Sequence, residues 1–359
     1  NDNTTLSQWQ GIDIHDFIDI SVNPKNPDEV AVSTYSAYPV SIINSTENSC
    51  VVYDQTNSPI ELSLAGNGWS LVSDVCYDTK GNLWVLNGWS DRPLVVKRTD
   101  NTWSSFDCGV EARNKYTTRM VIDKDQNLWF ATETNGLFGY NYSETLDNMG
   151  DDFHINLTSG DYNGALPSDN VTALAVDLDG ELWIGTDAGF AVLYNTTGSF
   201  TANPGDYNAQ RIKVRFEGNV EYVLGSTHIT DIEVDGGNRK WMATAGAGLV
   251  LLSSDGSEII KQFTKENSAL ISNNIYDIKM NQETGELFII TDLGLVSYRS
   301  DASQDDADYS STKVFPNPVR PGYEGLITIQ GIRYDSDVKV TDVAGNLIFK
   351  TTSNGGTAT

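Results

Sequence analysis

Short stretches of alternating apolar and polar residues recur along the chain, and each one runs into an aspartate-rich turn. In the clearest case residues 171–176 alternate towards Asp177-Leu178-Asp179-Gly180-Glu181, and residues 182–186 follow the turn. Gly180 supplies the backbone freedom that a tight turn needs. Residues 182–186 are rich in bulky side chains that fit a pleated surface. The pattern predicts a β-hairpin.

The hairpin pattern occurs six times. Equivalent central positions lie 45 to 58 residues apart and are, in order, Ala31, Trp84, Trp129, Trp183, Trp241 and Phe288. A four-stranded propeller blade needs about 40 to 50 residues, and no stretch shows the 3.6-residue period of a helix. We predict an all-β fold, with a β-propeller over residues 1–299 that has six counted blade motifs.

Two segments are predicted to act as outer blade strands. Residues 6–10 resemble the outer-strand segments 101–106 and 258–263, and the last blade lacks such a segment. We predict that residues 6–10 close the ring by pairing with the last blade, which would remove two exposed edges. Residues 211–216, the densest basic cluster, alternate as an outer strand would.

The pattern changes beyond the last repeat. Residues 300–312 form a polar linker, and residues 313–359 contain three or four strand-like segments with a hairpin turn at 344–346. We predict a small Ig-like β-sandwich, which is incomplete because so few strands cannot cover both faces. Either the sequence continues or another chain covers the open edge.

Composition narrows the classes of function. The chain has 49 acidic and 23 basic residues and a formal net charge of −26. It therefore lacks the basic footprint of a nucleic-acid-binding protein, and no apolar run reaches the roughly 18 residues of a membrane span. The three cysteines, Cys50, Cys76 and Cys108, do not make a disulfide framework. No histidine pair or nucleophile motif indicates an enzyme.

The predicted inner strands carry a candidate cation site. The third position of each strand is, in order, Asp19, Asp74, Arg119, Ala173, Asp231 and Asp277. Four acids at one equivalent position near the axis would make an acidic channel or a Ca²⁺ site. The alternative is that each aspartate caps a neighbouring turn. No other cofactor is predicted.

Loops of the first two blades carry a candidate ligand site. The other blades have short loops between their second and third strands, whereas these two loops present Tyr35, Tyr38, Trp89 and Arg92. Aromatic rings stack on sugars, and arginine holds a carboxylate or phosphate in a fork. The alternative is that these side chains pack within their loops or against another domain.

The repeats and the tail together carry a family resemblance. The stretch 177–186 resembles the two-component regulator propeller repeat of Bacteroidetes proteins. Residues 315–319 and 338–347 resemble the C-terminal domain of type IX secretion substrates. The combination is similar to propeller components of the type IX sortase complex, whose propellers are expected to have seven blades.

The resemblance implies a non-catalytic exported protein at the cell surface or in the periplasm, associated with the outer membrane. Its implied partners are a surface glycolipid or polysaccharide, specifically anionic lipopolysaccharide, and the sortase that receives it. Two alternatives remain open: the periplasmic sensor propeller of a hybrid two-component system, and an exported polysaccharide-active cargo protein.

Overall fold

The computed structural model describes residues 16–66, 68–203, 205–216, 219–303, 309, 312–333, 335–353 and 355–358. Within these ranges the regular structure is almost entirely β-strand, and a 3₁₀ turn spans Thr197–Phe200. The all-β prediction is confirmed. In the part of the chain described here, no helix is long and apolar enough to cross a membrane.

Twenty-four strands follow one another up to Arg299, at the end of the predicted propeller. They are β1 (Phe17–Val22), β2 (Glu29–Thr34), β3 (Val40–Asn44), β4 (Ser49–Tyr53), β5 (Leu71–Tyr77), β6 (Leu83–Gly88), β7 (Leu94–Lys97), β8 (Trp103–Phe106), β9 (Thr117–Ile122), β10 (Leu128–Thr132), β11 (Leu137–Asn141), β12 (Phe153–Leu157), β13 (Val171–Val176), β14 (Leu182–Thr186), β15 (Gly189–Leu193), β16 (Lys213–Phe216), β17 (Asn219–Tyr222), β18 (Ile229–Val234), β19 (Lys240–Thr244), β20 (Leu249–Leu252), β21 (Ile259–Phe263), β22 (Ile275–Asn281), β23 (Glu286–Thr291) and β24 (Gly294–Arg299).

The strands form one sheet for each predicted blade motif. Four sheets have four strands in sequential order: β1 to β4, β5 to β8, β9 to β12, and β18 to β21. The sheets β13-β14-β15 and β22-β23-β24 have three strands among the described residues. Each sheet is a meander of antiparallel neighbours, as a blade should be. The six counted motifs are therefore six blades.

The chain divides into two compact units. The first holds the described residues up to Val176 together with Gly180–Thr186 and Ala191–Gln210, and the second holds Asp177–Asp179, Asp187–Phe190 and the residues from Arg211 onwards. The first unit has apolar clusters centred on the buried Trp84 and Trp129. The second has a cluster centred on Trp241. Apolar burial between neighbouring blades supplies the core of each unit.

The repeated turn is explained by a hydrogen bond from the core. Asp123 accepts hydrogen bonds from the backbone N–H of Asn127 at 2.9 Å and from the indole Nε1 of Trp129 at 3.0 Å. The same indole bond joins Trp84 to Asp78 and Trp241 to Asp235, each at 3.3 Å. A buried indole N–H needs an acceptor. The turn aspartate supplies it, which is why aspartate and tryptophan recur together.

Two strand predictions have different outcomes. The basic segment 211–216 was expected to be an outer blade strand, but β16 pairs with β17 in a separate hairpin. The prediction is wrong because Gln210 bridges to Val192 of β15, whereas residues 213–216 pair with residues 219–222. Residues 6–10 lie outside the described residues, so their closure of the ring stays a prediction.

The tail forms two small sheets in the second unit. The strands are β25 (Lys313–Phe315), β26 (Thr328–Gln330), β27 (Asp337–Thr341), β28 (Leu347–Thr352) and β29 (Thr357–Ala358), paired as β25-β26-β29 and β27-β28. The predicted hairpin at 344–346 joins β27 to β28. Most apolar side chains of these strands are exposed. The sandwich and the domain limits 1–299, 300–312 and 313–359 stay predictions.

Candidate functional site

Tyr35, the first predicted rim residue, faces another tyrosine. It follows β2 in a loop closed by a hydrogen bond from Thr34 N to the carbonyl of Pro39. The Tyr35 hydroxyl donates to the Tyr116 hydroxyl at 3.3 Å, and the two rings meet edge to face. Burial, the bond to Tyr116 and the charge of Asp74 raise the pKa of Tyr35 far above its usual range. Tyr38 is half-buried in the same loop.

Trp89 and Arg92 lie in the loop between β6 and β7. Trp89 has a left-handed backbone with φ of 52°, and its N–H donates to the carbonyl of Lys115 at 2.7 Å. Arg92 is exposed, and its Nη1 donates to Ser105 Oγ at 3.3 Å. Among the described contacts, none joins one of the four predicted rim side chains to another.

The structure adds an apolar neighbour to Trp89 that the sequence did not single out. The N–H of Leu64 donates to the carbonyl of Trp89 at 2.7 Å, and Ser63 N donates to the carbonyl of Trp69 at 2.8 Å. Leu64 is 54% exposed and Trp69 45% exposed. We call Leu64, Trp69 and Trp89 the Trp69–Trp89 patch. The sequence feature that could have indicated this patch is Trp69, which directly follows the glycines Gly66 and Gly68.

Two of the predicted axial acids, Asp19 and Asp74, join neighbouring inner strands. Asp19 Oδ2 accepts from the N–H of Val75 at 3.3 Å, and Asp74 Oδ2 accepts from the N–H of Met120 at 2.9 Å. Burial raises the pKa of both carboxyls. The pKa of Asp74 is raised further by the negative charge of Asp19, while Arg119 opposes both shifts.

The second unit repeats this bond at another axial acid. Asp231 Oδ2 accepts from the N–H of Ile278 at 3.0 Å, so three of the four predicted metal ligands bind a neighbouring strand. Asp277 is the fourth. Among the described residues, no group of three or more His, Cys, Asp or Glu side chains is placed to hold a metal. The Ca²⁺ site stays a prediction.

The β16–β17 hairpin and the preceding Arg211 form a basic segment in the second unit. The Arg211 guanidinium lies 4.0 Å from the centre of the Tyr222 ring, and the Lys213 ammonium lies 5.4 Å from the same centre. Arg211 Nη2 donates to the carbonyl of Gly225 at 2.6 Å. Cations over an aromatic face are favourable, so the hairpin holds two positive charges together.

A polar cavity of about 520 Å³ lies in the first unit, and no sequence pattern predicted it. Three segments line it: the turn after β9, the residues after β11 and the 3₁₀ turn. The lining residues are Lys124, Asp125, Gln126, Asn127, Asn141, Tyr142, Ser143, Glu144 and Thr197. We call this cavity the Tyr142 pocket.

The chain resembles known propellers. The family model described as two component regulator propeller matches residues 165–188. PorZ of Porphyromonas gingivalis, described as an essential bacterial surface component of the type-IX secretion system, is 31% identical with a TM-score of 0.73, and the match covers 95% of this chain. The match covers 46% of the PorZ chain, so the chain spans about half of that protein.

Two further matches show the fold alone. Virginiamycin B lyase from Staphylococcus aureus is 12% identical with a TM-score of 0.53, over 80% of this chain and 82% of the lyase. The Dos1 propeller is 14% identical with a TM-score of 0.50, over 95% of this chain and 86% of Dos1. No curated protein matches the sequence. The chain is a β-propeller protein that is PorZ-like over nearly its whole length.

Proposed function

We propose that this chain is a non-catalytic component of a type IX secretion system, exported to the cell surface and associated with the outer membrane. The similarity to PorZ over 95% of the chain carries this proposal. The match covers 46% of PorZ, so the proposal concerns the part of such a protein that this chain represents.

Within that role, the chain binds anionic lipopolysaccharide and presents it to the sortase. The Trp69–Trp89 patch supports sugar binding, because the exposed Trp69 and the half-buried Trp89 offer rigid aromatic surfaces for contact. Arg92 lies in the same loop as Trp89 and is exposed. Its planar guanidinium suits a phosphate group. A chain with a net charge of −26 repels anions overall, so a local arginine is needed.

The backbone bonds of the axial acids support a non-catalytic role. Asp19 and Asp74 each accept a backbone N–H from the neighbouring inner strand. A carboxylate used in this way stabilises the sheet arrangement. It is poorly placed to exchange protons with a bound substrate.

A sensor role is the second candidate. It is favoured by the match of residues 165–188 to the two component regulator propeller model. A sensor would respond to a small ligand and pass a signal to an attached domain, whereas a secretion component would bind a surface lipid and a sortase.

Calorimetric titration with purified anionic lipopolysaccharide tests the proposal, and dephosphorylated lipopolysaccharide is the comparison. We expect the intact lipid to bind more tightly, with an affinity that falls as salt rises, because the phosphate contact is screened. Absence of binding, or equal binding of both lipids, would contradict the proposed recognition of an anionic glycolipid.

A further inference from the structure

We infer that the Tyr142 pocket is a second binding site, and that it takes a neutral saccharide unit held by hydrogen bonds to its hydroxyl groups. The pocket volume of about 520 Å³ falls within the roughly 300 to 1,000 Å³ of small-molecule sites. The inference goes beyond the proposed function, because it concerns other residues and an uncharged ligand.

The walls of the pocket are fixed by hydrogen bonds between its three segments. Thr197 Oγ1 donates to Asp125 Oδ2 at 2.5 Å and accepts from Asn127 Nδ2 at 3.1 Å. Asn141 Nδ2 donates to Asn127 Oδ1 at 2.6 Å. These bonds tie the turn after β9 to the residues after β11 and to the 3₁₀ turn. A site held in this way loses little freedom when a ligand binds.

Tyr142 is the aromatic residue of the pocket lining. Its side chain is 4% exposed, and its ring packs on Trp84 with centroids 5.3 Å apart. Among the described residues, no group hydrogen-bonds to its hydroxyl. Burial, aided by the charges of Asp78, Glu144 and Asp123, raises the pKa of Tyr142 to about 12. The neutral phenol can therefore donate a hydrogen bond to a ligand oxygen.

The remaining polar groups suit a ligand that both donates and accepts hydrogen bonds. Gln126 Oε1 accepts from Thr79 at 3.3 Å, which directs its amide NH₂ group to other acceptors. The carboxylates of Asp125 and Glu144 accept from ligand hydroxyls. With Lys124 as the single cation of the lining, two acids leave the pocket with a net negative charge. An anionic ligand is therefore disfavoured.

The loops that carry these groups hold unusual backbone conformations. Gln126, Ser143 and Glu144 have φ values of 65°, 48° and 62°. Residues other than glycine rarely adopt this region, and such positions concentrate at binding sites. Gln126 occupies the turn position that Gly81, Gly180 and Asn238 hold with positive φ in other blades, so the backbone observation that adds to the evidence from Tyr142 is that at Ser143 and Glu144.

The test uses the whole chain and the methyl glycosides of glucose, galactose, mannose and N-acetylglucosamine. Binding is detected by saturation-transfer NMR and quantified by calorimetry. We expect at least one glycoside to bind. Tyr142→Phe keeps the ring on Trp84 and removes the hydroxyl, so the affinity should fall about three- to tenfold, as expected for one neutral hydrogen bond. Glu144→Gln should also weaken binding.

Tyr140→Phe is the matched control. Tyr140 belongs to the same apolar cluster, but its hydroxyl donates to Asp152, and it is not among the pocket residues. This variant should bind as the wild type does. The inference is wrong if no glycoside binds, if Tyr142→Phe and Glu144→Gln both leave the affinity unchanged, or if inorganic phosphate displaces the glycoside. If the protein did not bind lipopolysaccharide, the inference about the Tyr142 pocket would be unaffected.

Discussion

Lys240 Nζ lies 2.8 Å from Asp177 Oδ2, and both side chains are completely buried. The ammonium group also donates to the carbonyls of Asn238 at 2.8 Å and Ser254 at 2.5 Å. A lysine thus supplies the positive charge beside the turn aspartate of the clearest repeat. Two charges can stay out of water here because each is paired and hydrogen-bonded.

Lys240→Met should destabilise the protein strongly. It leaves Asp177 charged without its buried partner and removes the donor to two carbonyls, so we expect a loss of about 3 to 5 kcal/mol in the free energy of unfolding. Urea denaturation measures the loss. The double variant Lys240→Met with Asp177→Asn should lose less than the sum of the two single variants. Strict additivity would show that the two groups do not interact.

Asp123→Ala should cost far more stability than Asp342→Ala. Both aspartates cap a turn in the same way, because Asp342 accepts from Ala344 N at 2.9 Å and from Asn346 N at 2.8 Å. Only Asp123 is buried and also binds a core tryptophan. We expect a loss of at least about 2 kcal/mol for Asp123→Ala in thermal or urea unfolding. Equal losses in both variants would contradict the role assigned to the indole bond.

Asp74→Asn should change how stability depends on pH. Burial and the charge of Asp19 raise the pKa of Asp74 well above its ordinary value of 3.8. The folded state then binds a proton that the unfolded state releases. The resulting contribution to the free energy of unfolding is fully present below pH 3.8 and is lost as the pH rises through the pKa of Asp74 in the folded state. The asparagine variant still offers an oxygen to Met120 and should gain stability relative to the wild type as pH rises.

Urea unfolding across a pH series measures this effect. Asp100→Asn is the control, because hydrogen bonds from Thr102 lower the pKa of Asp100, so its contribution has the opposite sign. The stability that Asp100 contributes is present above its ordinary pKa of 3.8 and is lost as the pH falls through its lowered pKa in the folded state. A wild-type stability that does not fall relative to Asp74→Asn with rising pH would contradict the shifted pKa.

The blades were predictable because their signal is local. Each turn aspartate stands six residues before its tryptophan, as in Asp78 and Trp84, and one hydrogen bond links them within the hairpin. The partner of Lys240 was not predictable, since Asp177 belongs to another blade 63 positions earlier. The Tyr142 pocket was missed for the same reason: Thr197 meets Asp125 only after the blades pack.

The lipopolysaccharide titration, repeated with two variants of the whole chain, tests the proposed function most directly. The double variant Trp69→Ala with Trp89→Ala removes both rings of the patch. Tyr142→Phe alters the separate pocket. We predict that the tryptophan variant binds anionic lipopolysaccharide at least about tenfold more weakly, as expected when central aromatic contacts are lost, and that Tyr142→Phe binds it as the wild type does. No binding by the wild type, or equal affinity in the tryptophan variant, would contradict the account.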